Sequence, residues 1–266
     1  MQLAKHVAQG KLTYLSQGDE SVSVCENEHY RWLTFGSIEE ITSKNTPNEH
    51  VIQSVMLKRK PWKLTLPHQT AMMLPLLFFK PSNMLELGLG GGNIQRFIHY
   101  VSKKIAIHSI EHSRVVIDCF NHYFNPQNNK TQITFNNSMQ WLQQNTTSYD
   151  WYICDIYQHD IQSYHNTVSQ LEHLGANLTP NTCLSINLPD ADDNEVNLLL
   201  TLLKQLSPHH DITYFHIPNY LNIVIHLIPK QWQIYKRVKR NKHSYLPNNT
   251  FSRWKRFWQH GKTLVR

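Results

Sequence analysis

Apolar and polar positions along the chain divide it into two differently patterned regions. Between residues 21 and 56, short β-type runs are separated by turn residues, which predicts a small antiparallel sheet. From residue 84 onward, short apolar runs typical of buried strands alternate with segments of helical periodicity. Such alternation predicts a parallel sheet covered by helices. The predicted fold class is therefore α/β, with a seven-stranded, mostly parallel sheet and a small N-terminal antiparallel β domain.

The predicted elements follow from these patterns. Strands of the first region are predicted at 21–25, 31–35 and 50–56, followed by a helix at 67–79. Strands of the second region are predicted at 84–87, 105–110, 132–135, 151–155, 183–187, 212–215 and 221–227. The intervening helices are predicted at 93–101, 113–124, 138–144, around 167–174 and 193–206. The last two strands are candidates for an antiparallel edge hairpin. Three parts are predicted in all, namely 1–66, 67–229 and 230–266.

Composition limits the class of protein. The 266 residues are 40% hydrophobic and 11% aromatic, enough for a large core and unlike a disordered chain. The longest apolar run, 71–79, contains Pro75 and is about half the roughly 20 residues that span a bilayer. Since the N-terminus also lacks a secretory signal pattern, cytoplasmic localisation is expected. The four cysteines form no Cys-x-x-Cys pair and the histidines no His-Glu-x-x-His, so no disulfide framework and no metal are expected.

Charge is unevenly distributed. The net charge is +7, but residues 230–266 hold 11 of the 26 Lys and Arg and none of the 19 Asp and Glu, leaving 15 basic against 19 acidic residues elsewhere. Cations and aromatics interleave in the segments 236–240 and 251–258. This C-terminal tail is compatible with single-stranded RNA or an anionic membrane as a partner. The alternative is that Phe251, Trp254 and Trp258 form one helical face packed on the body.

The segment 84–92 carries the most specific signal. An apolar run ends in Glu86 and is followed by three glycines at alternate positions, Gly88, Gly90 and Gly92. This pattern is typical of a strand that enters a ligand-binding loop, because glycine permits positive φ and close approach of the backbone to a ligand. Glu86 is placed to meet a cationic group. Asn93 stands where the dinucleotide fingerprint has its third glycine, which favours a nucleoside without a pyrophosphate. A tight turn with no ligand is the alternative.

Four polar residues lie at the carboxyl ends of consecutive predicted strands, where open α/β sheets bind ligands. They are Glu86, Glu111, Asn137 and Asp155. Glu111 follows Gly88 by 23 residues, close to the spacing at which a carboxylate accepts the hydroxyls of a ribose, although a solvated strand end is the alternative. Asn137 is a candidate for an adenine contact or an ordinary helix N-cap. Asp155 is a candidate for a role at this ligand-binding edge, or else a helix cap or salt-bridge partner.

Over roughly residues 20 to 228, the chain resembles the spermidine synthases and their bacterial spermidine synthase-like relatives. The motifs that carry the resemblance are Val51–Met56, Leu85–Gly92, Ile110-Glu111 with Tyr123-Phe124, and Tyr149–Asp155. The family has a small N-terminal β domain and a Rossmann-like domain. It transfers an aminopropyl group from decarboxylated S-adenosylmethionine to putrescine without a metal, and family members commonly form homodimers.

The resemblance implies roles for individual residues. Gln53 would touch the nucleoside, and the loop from Gly88 to Gly92 would cradle it. Glu111 would hold the ribose, and Asn137 would replace the family's adenine-binding Asp. Asp155 matches the catalytic aspartate and would orient an attacking amine for in-line displacement.

The chain departs from the family at the acceptor end of the site. Ile156-Tyr157-Gln158 follows Asp155 where the family has Ser-Asp-Pro, and the helix that normally offers an acid to the diamine begins Pro67-His68-Gln69. A dication would therefore meet little negative charge. Two alternatives follow: an S-adenosylmethionine-dependent methyltransferase, with RNA as a candidate substrate, and a nucleoside-binding regulator without catalysis.

Overall fold

The structure is a computed structural model, and it describes residues 10–16, 21–35, 52–155, 163–189, 193–234 and 246–264. Three sequence features discussed above lie outside these residues. They are the start of the predicted strand 50–56, the tripeptide 156–158 and the basic segment 236–240.

The N-terminal region forms a four-stranded antiparallel sheet. Its strands are β1 (Lys11–Leu15), β2 (Val22–Glu26), β3 (Tyr30–Phe35) and β4 (Ile52–Leu57). They pair in chain order, so each strand neighbours the next one in sequence. The predicted small antiparallel sheet is confirmed. β1 was not predicted, and its half-exposed edge position explains why no apolar alternation marks it.

The second sheet has eight strands rather than the predicted seven. They are β5 (Asn83–Leu87), β6 (Ala106–Glu111), β7 (Gln132–Phe135), β8 (Trp151–Cys154), β9 (Cys183–Leu188), β10 (His210–His216), β11 (Ile223–Pro229) and β12 (Lys262–Thr263). Their order is β12-β10-β11-β9-β8-β5-β6-β7. Strands β5 to β9 run parallel and the last three antiparallel, so the Rossmann-like, mostly parallel sheet is confirmed. The chain leaves central β5 toward β6 on one side and later returns to β8 on the other, which makes the end of β5 a topological switch point.

Helices cover both faces of this sheet. They are α1 (Pro67–Met72), α2 (Asn93–Val101), α3 (Arg114–Cys119), α4 (Ser138–Gln144), α5 (Ser163–Asn177), α6 (Asp193–Leu206) and α7 (Asn248–Trp258). One face carries α1, α2 and α7, and the other carries α4, α5 and α6. α3 packs between the N-terminal sheet and strands β6 and β7 of the second sheet. The single helix predicted at 67–79 is instead α1 followed by a 3₁₀ turn at Leu74–Leu77, because Pro75 lacks the N–H that would continue the helix.

The predicted helix 113–124 is also divided. α3 ends at Cys119, and a π-helical turn, Phe120–Phe124, follows it. This turn places the Phe120 ring against the glycine loop, where a Cβ on Gly92 would lie 2.2 Å from a ring carbon. The loop and the π turn are therefore packed without space for a side chain between them.

The C-terminal segment is packed on the α/β body. Trp254 and Trp258 of α7 are buried, and their rings contact Phe97 and Phe78 at centroid distances of 5.6 and 5.1 Å. β12 then pairs with β10. The aromatic residues of α7 therefore belong to the core, as the packing alternative predicted. No helix within the described ranges is long and apolar enough to cross a bilayer.

A buried guanidinium joins the two sheets. Arg96 of α2 donates through Nε to the Pro61 carbonyl at 2.7 Å and through Nη1 to the Phe124 carbonyl at 2.7 Å. It also donates to the carbonyl of Gly91 and to the Asn93 side chain. The N–H groups of the planar guanidinium thereby connect the turn after β4, the glycine loop and the π turn.

We predict that Arg96→Lys destabilises the protein by about 2 to 4 kcal/mol. One ammonium group cannot donate hydrogen bonds to all four acceptors of the guanidinium, so some buried carbonyls would lose their hydrogen-bond donors. Urea unfolding at neutral pH measures the change. Arg59→Lys, at an exposed position, is the matched control and should change stability by no more than about 0.5 kcal/mol. Equal small effects of both substitutions would contradict the structural role of Arg96.

Candidate functional site

The carboxyl ends of β5, β6 and β8 meet at the glycine loop. Gly88, Gly90 and Gly92 have φ values of 88°, 50° and 64°, whereas Gly91 is not in the left-handed region. The positive φ predicted for these alternate positions is confirmed. The loop thus turns its backbone amides toward the sheet edge in a conformation that side chains with a Cβ rarely adopt.

Strand β4 of the N-terminal sheet holds this loop from the side. The Ser54 hydroxyl accepts a hydrogen bond from the Gly91 amide at 2.8 Å, and the Asn93 side chain donates to the Val55 carbonyl at 3.1 Å. Gln53 lies next to Ser54, at the irregularity where the β3–β4 register shifts, and has no paired residue on β3. Its buried Nε2 has no hydrogen-bond partner among the described residues. The role of Gln53 in contacting a nucleoside stays a prediction.

Glu111 faces the glycine loop from the end of β6. One carboxylate oxygen accepts the Leu89 amide at 2.9 Å and the Gly90 amide at 3.3 Å, and the other accepts the Ser113 amide at 3.0 Å. Burial alone would raise the pKa of Glu111, but hydrogen bonds from His112, Ser113 and Leu89 outweigh burial and hold the pKa below its ordinary value. Glu111 is therefore a negatively charged group fixed at the mouth of the loop.

Glu86 lies beneath the loop rather than at its mouth. It is 1% exposed and accepts a hydrogen bond from the Ser109 hydroxyl, to which the Gln95 amide donates at 2.5 Å. Burial, with smaller contributions from the charges of Asp155 and Glu111, raises the pKa of Glu86 to about 8 against the opposing effects of the Ser109 hydrogen bond and the Arg96 charge. Glu86 therefore carries a proton at neutral pH, and its predicted contact with a cationic group is not visible in the structure.

Asp155 lies one strand away from the loop. Its amide donates to the Leu87 carbonyl at 3.0 Å, which places it level with the end of β5. One carboxylate oxygen accepts from the Asn187 side chain at 2.9 Å, and the Asn187 oxygen accepts in turn from Asn222 at 3.1 Å. This chain of amides fixes the orientation of the carboxylate. Sequence reasoning missed Asn187 and Asn222, and the only local signal was an amide within the otherwise apolar run of β9.

His68 in the first turn of α1 is an ionisable neighbour of Asp155 that the sequence did not mark as functional. Burial lowers its pKa, and the negative charge of Asp155 opposes that shift only in part. The imidazole is therefore neutral at pH 7. Its buried Nδ1 has no hydrogen-bond partner among the described residues.

Asn137 acts as the N-cap of α4. Its side-chain oxygen accepts the amides of Met139 and Gln140 at 2.9 and 3.3 Å. The same side chain retains an amide NH₂ group, so capping and an adenine contact are compatible. The adenine contact stays a prediction.

A second depression lies at the opposite, amino edge of the sheet. It has a volume of about 550 Å³ and its lining includes His108, Trp141 and Tyr149. The His108 nitrogens are already paired with the Tyr149 and Thr134 hydroxyls at 2.9 and 2.8 Å. Within the described ranges no cluster of three or more His, Cys, Asp or Glu side chains has the arrangement of a metal site. The carboxyl edge is therefore the candidate functional site.

No family model matches the chain, and no curated protein matches it in sequence. Solved structures do share its architecture. Spermidine synthases and methyltransferases are among them. A probable spermidine synthase from Corynebacterium glutamicum has a TM-score of 0.65 and 14% identity over 92% of this chain and 87% of its own. A spermidine synthase in complex with the transition state analogue AdoDATO has a TM-score of 0.58 and 14% identity, covering 93% and 88%.

Human methyltransferase-like protein 13 in complex with SAH has a TM-score of 0.53 and 16% identity, covering 73% of this chain and 91% of its own. At these identities the comparisons establish the fold. The shared part includes the mostly parallel sheet in every case, and the spermidine synthases extend over nearly the whole chain.

We predict that Glu86→Gln removes a pH dependence of stability. The unfolded wild type releases the Glu86 proton near pH 4.5, whereas the folded protein keeps it to about pH 8. Wild-type stability therefore falls as pH rises through this window, by up to about 1.4 kcal/mol per pH unit. Glutamine is neutral throughout, so the variant should gain stability relative to wild type between pH 5 and pH 8.

Urea unfolding at several pH values measures this difference. Glu172→Gln, at an exposed position on α5, is the control and should follow the wild-type curve. A constant offset between Glu86→Gln and wild type across the range would show that Glu86 is ionised in the folded protein.

Proposed function

We propose that the chain is a spermidine synthase-like transferase that binds an S-adenosyl sulfonium nucleoside and transfers an aminopropyl group to an amine by direct displacement. The observation that carries this proposal is the convergence of the glycine loop, ionised Glu111 and Asp155 at one edge of the sheet. Decarboxylated S-adenosylmethionine is the proposed donor for aminopropyl transfer, and S-adenosylmethionine is the donor under the alternative of methyl transfer.

The proposed nucleoside-binding site combines one ionised carboxylate with neutral groups. Glu111 is ionised and already oriented by loop amides, which suits it to accept hydrogen bonds from ribose hydroxyls. The glycines at 88, 90 and 92 allow the nucleoside to approach the backbone. The buried, unpartnered Nε2 of Gln53 is a donor that a ligand would satisfy.

The proposed displacement requires little covalent chemistry from the protein. A bond forms between the amine nitrogen and the carbon attached to sulfur, the carbon–sulfur bond breaks, and a neutral thioether nucleoside leaves with the electron pair. The amine loses one proton, for which the Asp155 carboxylate and the neutral His68 imidazole are the available acceptors. The Asn187–Asn222 chain keeps Asp155 in a fixed orientation, so positioning supplies most of the rate.

Aminopropyl rather than methyl transfer is supported by the extent of structural similarity. The two spermidine synthases cover 92% and 93% of this chain, including the N-terminal sheet, whereas the methyltransferase covers 73%. In this chain the N-terminal sheet is part of the site, because β4 binds the loop through Ser54.

Methyl transfer is the second candidate, and the shortage of negative charge favours it. Glu86 carries a proton, and His68 occupies the helix that offers an acid in the resembled family. Asp155 is thus the remaining carboxyl group at the acceptor end of the described site. A methyl acceptor does not need to be a dication, so it tolerates this charge balance. The third candidate function is a nucleoside-binding regulator, for which we expect binding without turnover.

Nucleoside binding is testable by isothermal titration with S-adenosylmethionine, its decarboxylated form and methylthioadenosine. We expect at least one of them to bind, and we expect Glu111→Gln to weaken binding about 10- to 100-fold because two charge-assisted hydrogen bonds to ribose become neutral. Glu172→Gln is the matched control and should bind as wild type does. Absence of heat with all three compounds would refute the proposal.

Group transfer is testable by mass spectrometry after incubation with both sulfonium donors and a pool of amines and RNAs. A mass increase of one aminopropyl group identifies the first candidate, and a methyl increase identifies the second. We expect Asp155→Asn to retain nucleoside affinity within about threefold and to lose at least about 100-fold in turnover. Asp118→Asn, at an exposed position on α3, is the control. Tight binding with no product from wild type would support the regulator instead.

A further inference from the structure

Three basic segments meet around α2, and their exposed residues define what we term the basic face. The segments are the turn after β4, the turn that follows α2 and the solvent side of α7. The exposed cations of the basic face are Arg59, Lys60, Lys63, Lys103, Lys104, Arg253 and Arg256.

Direct contacts join these segments. The Trp62 ring is stacked on the Tyr100 ring at a centroid distance of 4.8 Å and an interplanar angle of 10°. Phe97, one helical turn before Tyr100, contacts Trp254 of α7 at 5.6 Å. Arg96 binds the Pro61 carbonyl at 2.7 Å and so fixes the β4 turn to α2. The three segments that carry the cations are therefore packed against one another around α2.

The sequence around this surface has almost no negative charge to neutralise it. Residues 52–110 contain eight Lys and Arg but one acid, Glu86, which is 1% exposed. Residues 230–266 contain no acid. Cations at such a surface reinforce one another within a Debye length of about 8 to 10 Å and attract a polyanion.

The basic face also carries an aromatic group suited to a nucleobase. Tyr100 is 53% exposed although its ring is stacked on Trp62, so the pair presents a flat aromatic surface among the cations. Aromatic rings beside phosphate-binding cations are the arrangement by which proteins bind single strands, because unstacked bases lie on the rings while the backbone meets the cations.

We propose that the basic face binds single-stranded RNA. This inference is independent of the proposed transferase function. A duplex does not fit the aromatic pair because its bases are stacked within the helix, and RNA is the nucleic acid that ordinarily presents unpaired bases. A bilayer is disfavoured because the apolar side of α7 is already used, with Trp254 and Trp258 buried in the core.

Fluorescence anisotropy with a labelled single-stranded RNA of about 12 nucleotides tests the proposal, at several salt concentrations. We expect binding that weakens steeply with salt. The triple substitution Lys60→Gln, Lys63→Gln and Lys103→Gln should lower the slope of log affinity against log salt by about 2, since each lost phosphate contact contributes about 0.7. Tyr100→Ala should weaken binding about tenfold and leave that slope unchanged, because stacking is not ionic.

A charge-matched control separates this surface from net charge. Lys11→Gln, Lys130→Gln and Lys204→Gln change three exposed lysines on other faces and should leave both affinity and slope as in wild type. Thermal unfolding followed by circular dichroism should show that all these variants remain folded, as expected for exposed positions.

Four experimental results would contradict the proposal that the basic face binds single-stranded RNA. The proposal is wrong if wild type shows no anisotropy change up to about 100 µM protein at low salt, where even non-specific binding would be visible. It is also wrong if the control triple variant loses as much affinity as the basic-face variant, if duplex RNA binds as tightly as the single strand, or if phosphatidylserine vesicles bind while RNA does not.

Discussion

The buried guanidinium of Arg96 fixes the glycine loop to parts of the chain that are far apart in sequence. Burying a cation costs several kcal/mol, and this arginine has no acid as a direct ion-pair partner within the described residues. Its compensation comes from carbonyls of the β4 turn, the loop and the π turn, together with the Asn93 oxygen. The Pro61 carbonyl lies in the turn after β4, so this acceptor is available only when the N-terminal sheet is docked on the α/β sheet. Loop conformation and docking of the two sheets are therefore coupled through one side chain.

Two glutamates at the carboxyl edge of the sheet, Glu86 and Glu111, are held in opposite protonation states. Glu86 is enclosed by apolar strands and one serine hydroxyl, so burial raises its pKa and it stays neutral. Glu111 is nearly as buried, but backbone amides converge on it and lower its pKa. The negative charge of the site consequently lies at the loop mouth and not beneath it. A sulfonium cation would thus be attracted to the open side of the loop, away from the positive charge of Arg96.

Local patterns in the sequence predicted most of the fold. α2, α4, α6 and β7 have the predicted bounds, because clear periodicity and flanking turn residues define them. The positive φ of the alternate glycines was also predictable, since few other reasons place glycine at every second position. β12 was missed because two residues cannot display a period. The amide chain through Asn187 and the position of His68 were missed for a different reason: these polar contacts join distant segments, so no local spacing reveals them.

The charge states also restrict what can act as acceptor in the proposed reaction. An attacking amine must be neutral at the reacting nitrogen, and its proton passes to Asp155 or His68. Once Asp155 is engaged in this way, a second ammonium on the acceptor would need its own carboxylate, because leaving an ammonium unpaired in a desolvated site costs several kcal/mol. Glu86 cannot supply that charge near neutral pH, and Glu111 is committed to the loop amides and the proposed ribose. Within the described residues, the charge balance therefore fits an acceptor with one basic group better than a diamine.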